Sequence, residues 1–544
     1  MKKLLGATIC FLLLAVTGFS QNNTNILDKT GIGLKLFNAH QAYLRGDYTE
    51  ALTTYKEVNT AQPNDASVLF HMGQCYLALN EIDNAVSFLE KSEGIDPNAG
   101  DELHLNLGQV YLMSDNTDKA LKELQMFKQK YADDAKKIKE SEVDYYIAQC
   151  NNAIQLKAHP VKVVITNMGV AVNSEYDDKT PLLADDGRTL IFTSTRPSMS
   201  SGHTKEGQTP VAFDNIYSSE WDSTTHKWGL SYMMQGDINE PYAQNAATGI
   251  SADGLYLFMY KNNGQDAIGG DIFVAKKSHS GAYGSPVTLG HPVNTSYFEA
   301  CATLSPDGGT LYFMSERPGG FGQADIYKSD KVGKAEWSEP VNVGPTINTP
   351  YDDGSPYIGP DGKTMFFSSE GHNSMGGYDI FKSSMNDNGN WGPVINLGYP
   401  INSVNNDKSF TISIDAKSGY FVSDRKGGMG GTDIYMVDLT QYPLLATDSG
   451  SNKPKGLSIL RGKVSTQKGK AIEAARITVT DSLGTKVTLQ TDGDGKYYIT
   501  LKGNAGYKVK ADSKGYKPSV VNIRLPESPT GTYSMEQNFE LEKE

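Results

Sequence analysis

The strongest constraint on the fold is a 54-residue period running from Val161 to Leu439. Asp253, Asp307 and Asp361 each precede a glycine, and Asp415 continues the column. Asp271, Asp325, Asp379 and Asp433 each open a DIF or DIY triplet at the same step, and Asn294, Asn348 and Asn402 keep it. Trp337 and Trp391 follow suit, with Tyr283 one unit earlier. The Asp-Gly and Gly-Gly pairs carry the turn chemistry that joins antiparallel strands, so each unit reads as four short strands. An irregular first unit containing Asn173, Asp186-Gly187 and Asn215-Ile216-Tyr217 makes five.

Radial repetition of four-stranded sheets is a β-propeller, here predicted with five blades over residues 160–440. Val161–Gly169 stands where later units carry WSEPVNVG, and the last unit ends at Leu439 without such a strand. Pairing Val161–Gly169 with the strand at Asp433-Ile434-Tyr435 would join the two ends and remove exposed sheet edges. The segments SPDG (Ser305 to Gly308), SERPGGFGQADIY and GGYDIF resemble the WD40-like PD40 propeller family. Two departures stand out: Ala416 follows Asp415, and Asn215 takes the place of an aspartate.

From Leu36 to about Ile154 the apolar spacing is helical. Ala51, Ala85 and Ala120 lie 34 and 35 residues apart, Pro63 and Pro97 lie 34 apart, and Gly73 with Tyr76 recurs as Gly108 with Tyr111. A small residue is needed where the helices of a hairpin cross closely, and an aromatic fills the gap a turn later. The pattern resembles the tetratricopeptide repeat, with three units and a partial fourth helix around Tyr145 to Ile154, over residues 35–156. Such arrays stack into a superhelix whose concave face takes a peptide or a partner helix; a plain spacer is the alternative.

After a polar linker at 441–456, residues 457–544 alternate as short strands. Gly462 to Ala474, Asp494-Gly495-Lys496-Tyr497 and Gly515-Tyr516 resemble the carboxypeptidase regulatory-like domain, a small β-sandwich of transthyretin type. The fold class is thus multidomain α plus all-β: helical repeats, a five-bladed propeller and a sandwich.

The N-terminus reads as an export signal over residues 1–20: Lys2 and Lys3, an apolar core from Leu4 to Val16, then Gly18 and Ser20 before a cut at Gln21. Removing Lys2 and Lys3 takes the formal charge from −13 to −15. An acidic chain of this kind offers no electrostatic footprint for nucleic acid or anionic lipid. The apolar run is too short for a typical membrane span, and none follows. Cys75, Cys150 and Cys301 are an odd, scattered set, each read as a small buried hydrophobe rather than part of a disulfide framework.

No enzymatic constellation emerges. HExxH, GxSxG and P-loop patterns are absent from the sequence, so no catalytic residue, metal or cofactor is expected. Asp492-Gly493-Asp494-Gly495 lacks the ligand spacing of a calcium loop and reads as a turn. One column is of interest. Five residues after each repeating Asn stand Asp178, Gln244, Glu299, Asp353 and Asp407. Four carboxylates leading into the innermost strands could gather at one channel mouth and bind a cation or a basic partner. Alternatively, each caps its own turn through backbone N–H groups. The first unit also carries an 11-residue insertion between Arg196 and Asn215, containing SSGHTKEGQTP.

The order of these segments resembles the PorE-like envelope proteins of the type IX secretion system, in which an OmpA-like peptidoglycan-binding domain follows the sandwich. Here the chain ends at Glu544, so peptidoglycan binding is not expected of it. The resemblance implies a non-catalytic scaffold in the periplasm, associated with the outer membrane, whose partners are envelope proteins. The rival readings are a propeller module that binds a peptide or glycan, and a hydrolase or lyase using channel carboxylates.

Overall fold

The computed structural model describes residues 23–445 and 457–544, apart from 185–186, 198–212, 263–269, 279–280, 334–335, 387, 483, 485, 492, 504 and 527–532. The predicted export signal, the SSGHTKEGQTP insertion, Asp186, Asp492 and most of the predicted linker lie outside the described residues. The chain forms two compact units, residues 1–143 and 144–544.

The first unit is helical: α1 (Asn23–Leu44), α2 (Tyr48–Ala61), α3 (Ala66–Ala78), α4 (Ile82–Ile95), α5 (Leu103–Met113), α6 (Thr117–Lys130) and α7 (Ala135–Glu140). The small-residue columns do what the sequence requires. Ala51, Ala85 and Ala120 are fully buried. A methyl group on Gly73 would lie 2.6 Å from the Leu89 side chain, and one on Gly108 2.5 Å from Leu124. Any larger residue would force each hairpin apart. Tyr76 and Tyr111 are buried one turn on. Pro63 and Pro97 stand in the connections between repeats, where a missing N–H breaks no helix.

The second unit opens with α8 (Val143–Ala158). This helix was expected as the fourth element of the repeat array; the structure groups it with the β-rich unit instead, for reasons given below. Five antiparallel sheets follow. Their first strands are Asp178–Leu183, Gln244–Ile250, Glu299–Leu304, Asp353–Ile358 and Asp407–Ile412. Each first strand packs beside the next, and the fifth packs beside the first. In the second to fourth sheets the chain then moves strand by strand to a two-residue outer strand. The fifth sheet takes its outer strand from the other end of the segment: Val164–Asn167 pairs antiparallel with Asp433–Asp438, Asn167 opposite Tyr435. This is the partner that the missing strand after Leu439 requires.

Four of the first strands carry a bulge at one place in the repeat, with Thr180, Cys301, Ser355 and Ser409 at φ of 50°, 53°, 47° and 57°. These residues converge on a cavity of about 30 Å³ with Thr248 and Gly249. That is room for about one water molecule.

The predicted linker starts later than 441. Leu444 is buried, and Tyr442 and Leu445 pack on the core shared by the fourth and fifth sheets. The last segment, from Leu457, is two packed sheets around Leu460, Val464, Ile477, Ile499, Val509 and Phe539.

Candidate functional site

Asp178, Glu299, Asp353 and Asp407 each begin a first strand, and all four have no exposed surface. Each caps the turn before it. Asp178 accepts from Ser174 N and Oγ at 2.6 and 2.8 Å, and Asp407 from Ser403 N and Oγ at 2.6 and 2.7 Å. Glu299 accepts from Thr295 N and Oγ1, and Asp353 from Thr349 N and Oγ1. None of the four lines the central cavity. The expectation of an open ring of carboxylates at a channel mouth is therefore corrected. Unpaired carboxylates held together would repel and pay for desolvation, and the fold instead buries each one separately among its own donors.

In three sheets the compensating charge is an arginine 18 residues further on. Arg196 Nη2 lies 2.6 Å from Asp178, Arg425 Nη2 2.5 Å from Asp407, and Arg317 Nη2 3.5 Å from Glu299. Each Nη2 also donates to a backbone carbonyl, of Val172, Ile401 and Val293 respectively. Each guanidinium lies over two rings of its own sheet, such as Phe313 and Tyr327 for Arg317. Delocalised charge, a flat face and a fork of donors suit arginine to all three tasks at once. The recurrence of Arg196, Arg317 and Arg425 is visible in the sequence and is the signal that could have revealed these pairs.

Two sheets depart from the rule. In the second sheet, Gln244 replaces the carboxylate and accepts from Asp214 N at 2.7 Å. In the fourth, Gly371 stands where the arginine would be, and His372 takes over. Its Nε2 lies 2.9 Å from the Ile347 carbonyl, the counterpart of Val293 and Ile401. Its ring packs on Phe367 and Phe381 at 5.8 and 5.2 Å. Burial holds this imidazole below its ordinary range. Asp353 is thus left without a guanidinium, and its Oδ1 makes no hydrogen bond of good geometry, although the Ser369 hydroxyl approaches it. Burial pushes its carboxyl up to about 7, against the opposing pull of Ser369 and Thr349. Asp379, in the same sheet, is also raised by burial.

The fourth sheet is also where α8 sits. Tyr145 Oη donates to Glu370 O at 3.0 Å, Asn152 Nδ2 to Ser374 O at 2.9 Å, and Gln149 Nε2 to Gly376 O. The Tyr145 ring stacks on Tyr351 at 4.7 Å. These polar anchors tie α8 to the β-rich unit.

In the helical unit, a polar chain links α3 to α5. His71 Nδ1 meets Gln74 at 3.0 Å, Gln74 Nε2 donates to Asn106 at 3.1 Å, and Asn106 Nδ2 donates to Gln109 at 3.2 Å. Among the described residues, Glu93, His104 and Glu123 have donor atoms within 4.8 Å of one another, a spacing that a divalent cation could use. His104 Nδ1 lies 2.7 Å from Glu123 and 3.9 Å from Glu93. The short contact is that of an imidazole N–H donated to a carboxylate, and it ties α5 to α6. Burial and the nearby Glu123 raise the Glu93 carboxyl.

Within the second unit, a cleft of about 1140 Å³ separates the sandwich from the turns at Asp253 and Asp307. Tyr256, Arg461, Lys496 and Tyr498 line it. The Tyr498 hydroxyl is buried without a hydrogen-bond partner, and burial together with Asp253 and Asp307 holds it above its ordinary range. Asp494, from the segment read as a turn, pairs with Lys276 at 2.8 Å.

Comparison with known proteins supports both ends of the chain. Tetratricopeptide repeat models match residues 42–101 and 102–134, and the carboxypeptidase regulatory-like domain matches 459–541. The chain therefore carries helical tetratricopeptide repeats, a large β-rich region and a regulatory-like domain. No curated protein matches the chain. Among solved structures, a crystal structure of MamA is 22% identical over 22% of this chain and 64% of that one, with a TM-score of 0.19. The chain thus spans just under two thirds of that structure's length. The Yersinia enterocolitica type III secretion chaperone SycD, in complex with a peptide of the translocator YopD, is 17% identical over 25% of this chain and 98% of its own, with a TM-score of 0.21. Catechol 1,2-dioxygenase from Acinetobacter sp. ADP1 is 10% identical over 18% of this chain and 55% of its own, with a TM-score of 0.15.

Proposed function

We propose that this chain is a non-catalytic scaffold of the bacterial cell envelope, similar to the PorE-like proteins of type IX secretion, and that its five sheets are the blades of a five-bladed β-propeller. The observation that carries the reading is the combination of stacked helical repeats with a ring whose polar column is spent on its own turns. Repeat arrays bind protein segments on their concave face. Carboxylates that cap buried turns hold a rigid platform and are not free for chemistry. The N-terminal signal pattern supports export to the periplasm, and the segment order supports association with the outer membrane through protein partners. Among the described residues no helix is long and apolar enough to cross a membrane.

Cross-linking in intact cells, followed by identification of the captured proteins, tests the scaffold reading. Recovery of envelope secretion components is the expected result. Fractionation that leaves the chain in the cytoplasm would overturn it. A second reading, binding of a peptide or glycan, is favoured by the cleft beside Tyr498, whose aromatic and charged lining and unpartnered hydroxyl suit a polar ligand. A thermal-shift screen against glycans and peptides tests it, with Tyr498→Phe as the control.

A further inference from the structure

The contact made by α8 is built on a repeating loop, and the repeat offers that loop again. Between the second and third strands of the third, fourth and fifth sheets the chain runs Ser315–Asp325, Ser369–Asp379 and Ser423–Asp433, equal in length and 54 residues apart. In the fourth sheet α8 donates to the carbonyls of Ser374 and Gly376, on either side of Met375. Met375 is completely buried there, whereas its counterparts Phe321 and Met429 are 49% and 41% exposed. The stacking platform repeats too. Tyr145 stacks on Tyr351, and the residue 54 positions earlier is Tyr297, 45% exposed. In the fifth sheet the corresponding residue is Asn405, which offers no ring. Among the three sheets whose loop is described, the third presents both the apolar tip and the aromatic platform, each half exposed.

We infer that Phe321 and Tyr297 form a second helix seat, equivalent to the one that α8 occupies, and that it takes a helix of a partner protein. The occupant's chemistry follows from α8. Tyr145, Gln149 and Asn152 stand at i, i+4 and i+7 and so share one helix face. A partner helix would place an aromatic ring on Tyr297, cover Phe321 with apolar surface, and direct amide side chains at the carbonyls of Gly320 and Gly322, the counterparts of Ser374 and Gly376. Burying two large side chains now half in water supplies the drive, and the amides set the register. The seat deepens the scaffold reading by naming a surface and a class of partner, but it rests on sheet geometry and not on the repeat array.

The probe is a labelled synthetic peptide with the sequence of Val143–Ala158, titrated onto the full chain and followed by fluorescence anisotropy. Saturable binding at one site is expected, weakened at least tenfold by Phe321→Ser combined with Tyr297→Ser. Both residues are exposed, so the variant should keep the wild-type melting curve, which is checked alongside. A peptide with alanine at the positions of Tyr145, Gln149 and Asn152 should not bind. Absence of binding overturns the seat, as does binding that the double variant leaves unchanged, since the peptide would then be exchanging with α8 on the fourth sheet. Either failure leaves the envelope cross-linking result standing, so the two readings fail separately.

Discussion

The third and fourth sheets share a length, a strand order and a turn-capping carboxylate, yet they neutralise that carboxylate differently. In the third, Glu299 faces Arg317, whose guanidinium also holds the Val293 carbonyl and lies over two rings. In the fourth, His372 reproduces the carbonyl and ring contacts from the next position along and brings no partner to Asp353. The difference teaches that the column has two separable duties. Capping needs an oxygen beside two N–H or O–H donors, which all four carboxylates provide. Neutralising charge needs a cation, and where it is missing burial forces the carboxyl toward its protonated form.

The comparison can be broken most forcefully at Asp407. Asp407→Ala leaves Arg425 largely buried without its anion, and removing one member of such a pair costs about 3 kcal/mol. Thermal or urea unfolding of the full chain should show the loss; an unchanged transition would mean that the pair is solvated and stabilises little. Gly371→Arg asks whether the arginine can be transplanted. A Cβ there would lie 2.3 Å from Thr349 Oγ1, so the change should cost about 2 kcal/mol by overpacking instead of rescuing Asp353. A stabilised variant would show that the turn can yield.

Asp353→Asn should act in the opposite direction. With its folded pKa raised to about 7, wild-type Asp353 keeps its proton longer folded than unfolded. Its contribution is most favourable below the ordinary carboxylate range and is lost as pH rises toward 7. Asparagine can still accept from Thr349, so the variant should gain about 1–2 kcal/mol over wild type at pH 8 and little at pH 4. Equal effects at the two pH values would refute the assignment. The smallest effect is expected at His372. Its pKa is lowered on folding, so its contribution is present above the ordinary imidazole range and lost as pH falls through it. His372→Ala should cost about 1 kcal/mol at pH 8 through the lost carbonyl bond and ring packing, and less at pH 5. Melting curves at the two pH values measure this.

Much of the architecture was legible in the chain because it depends on period. The 54-residue columns located four of the five sheets between Val161 and Leu439, the 34-residue spacing located the helical hairpins, and Gly73 and Gly108 marked their closest approach. The missing outer strand after Leu439 pointed to its partner at Val164–Asn167. Most of these features recur at a fixed step along the chain, which is why spacing alone reveals them.

The sequence by itself determined that the carboxylate column exists, but only the tertiary structure decided whether it faces solvent or is buried. Three of the buried carboxylates meet a guanidinium 18 residues away in sequence and adjacent in space, whereas Asp353 is buried without one. The allegiance of α8 was decided in the same way. A helical period shows that a face must be covered, but the covering surface, here loop carbonyls more than 200 residues further along the chain, is fixed only when the sheets have closed and brought those carbonyls within reach.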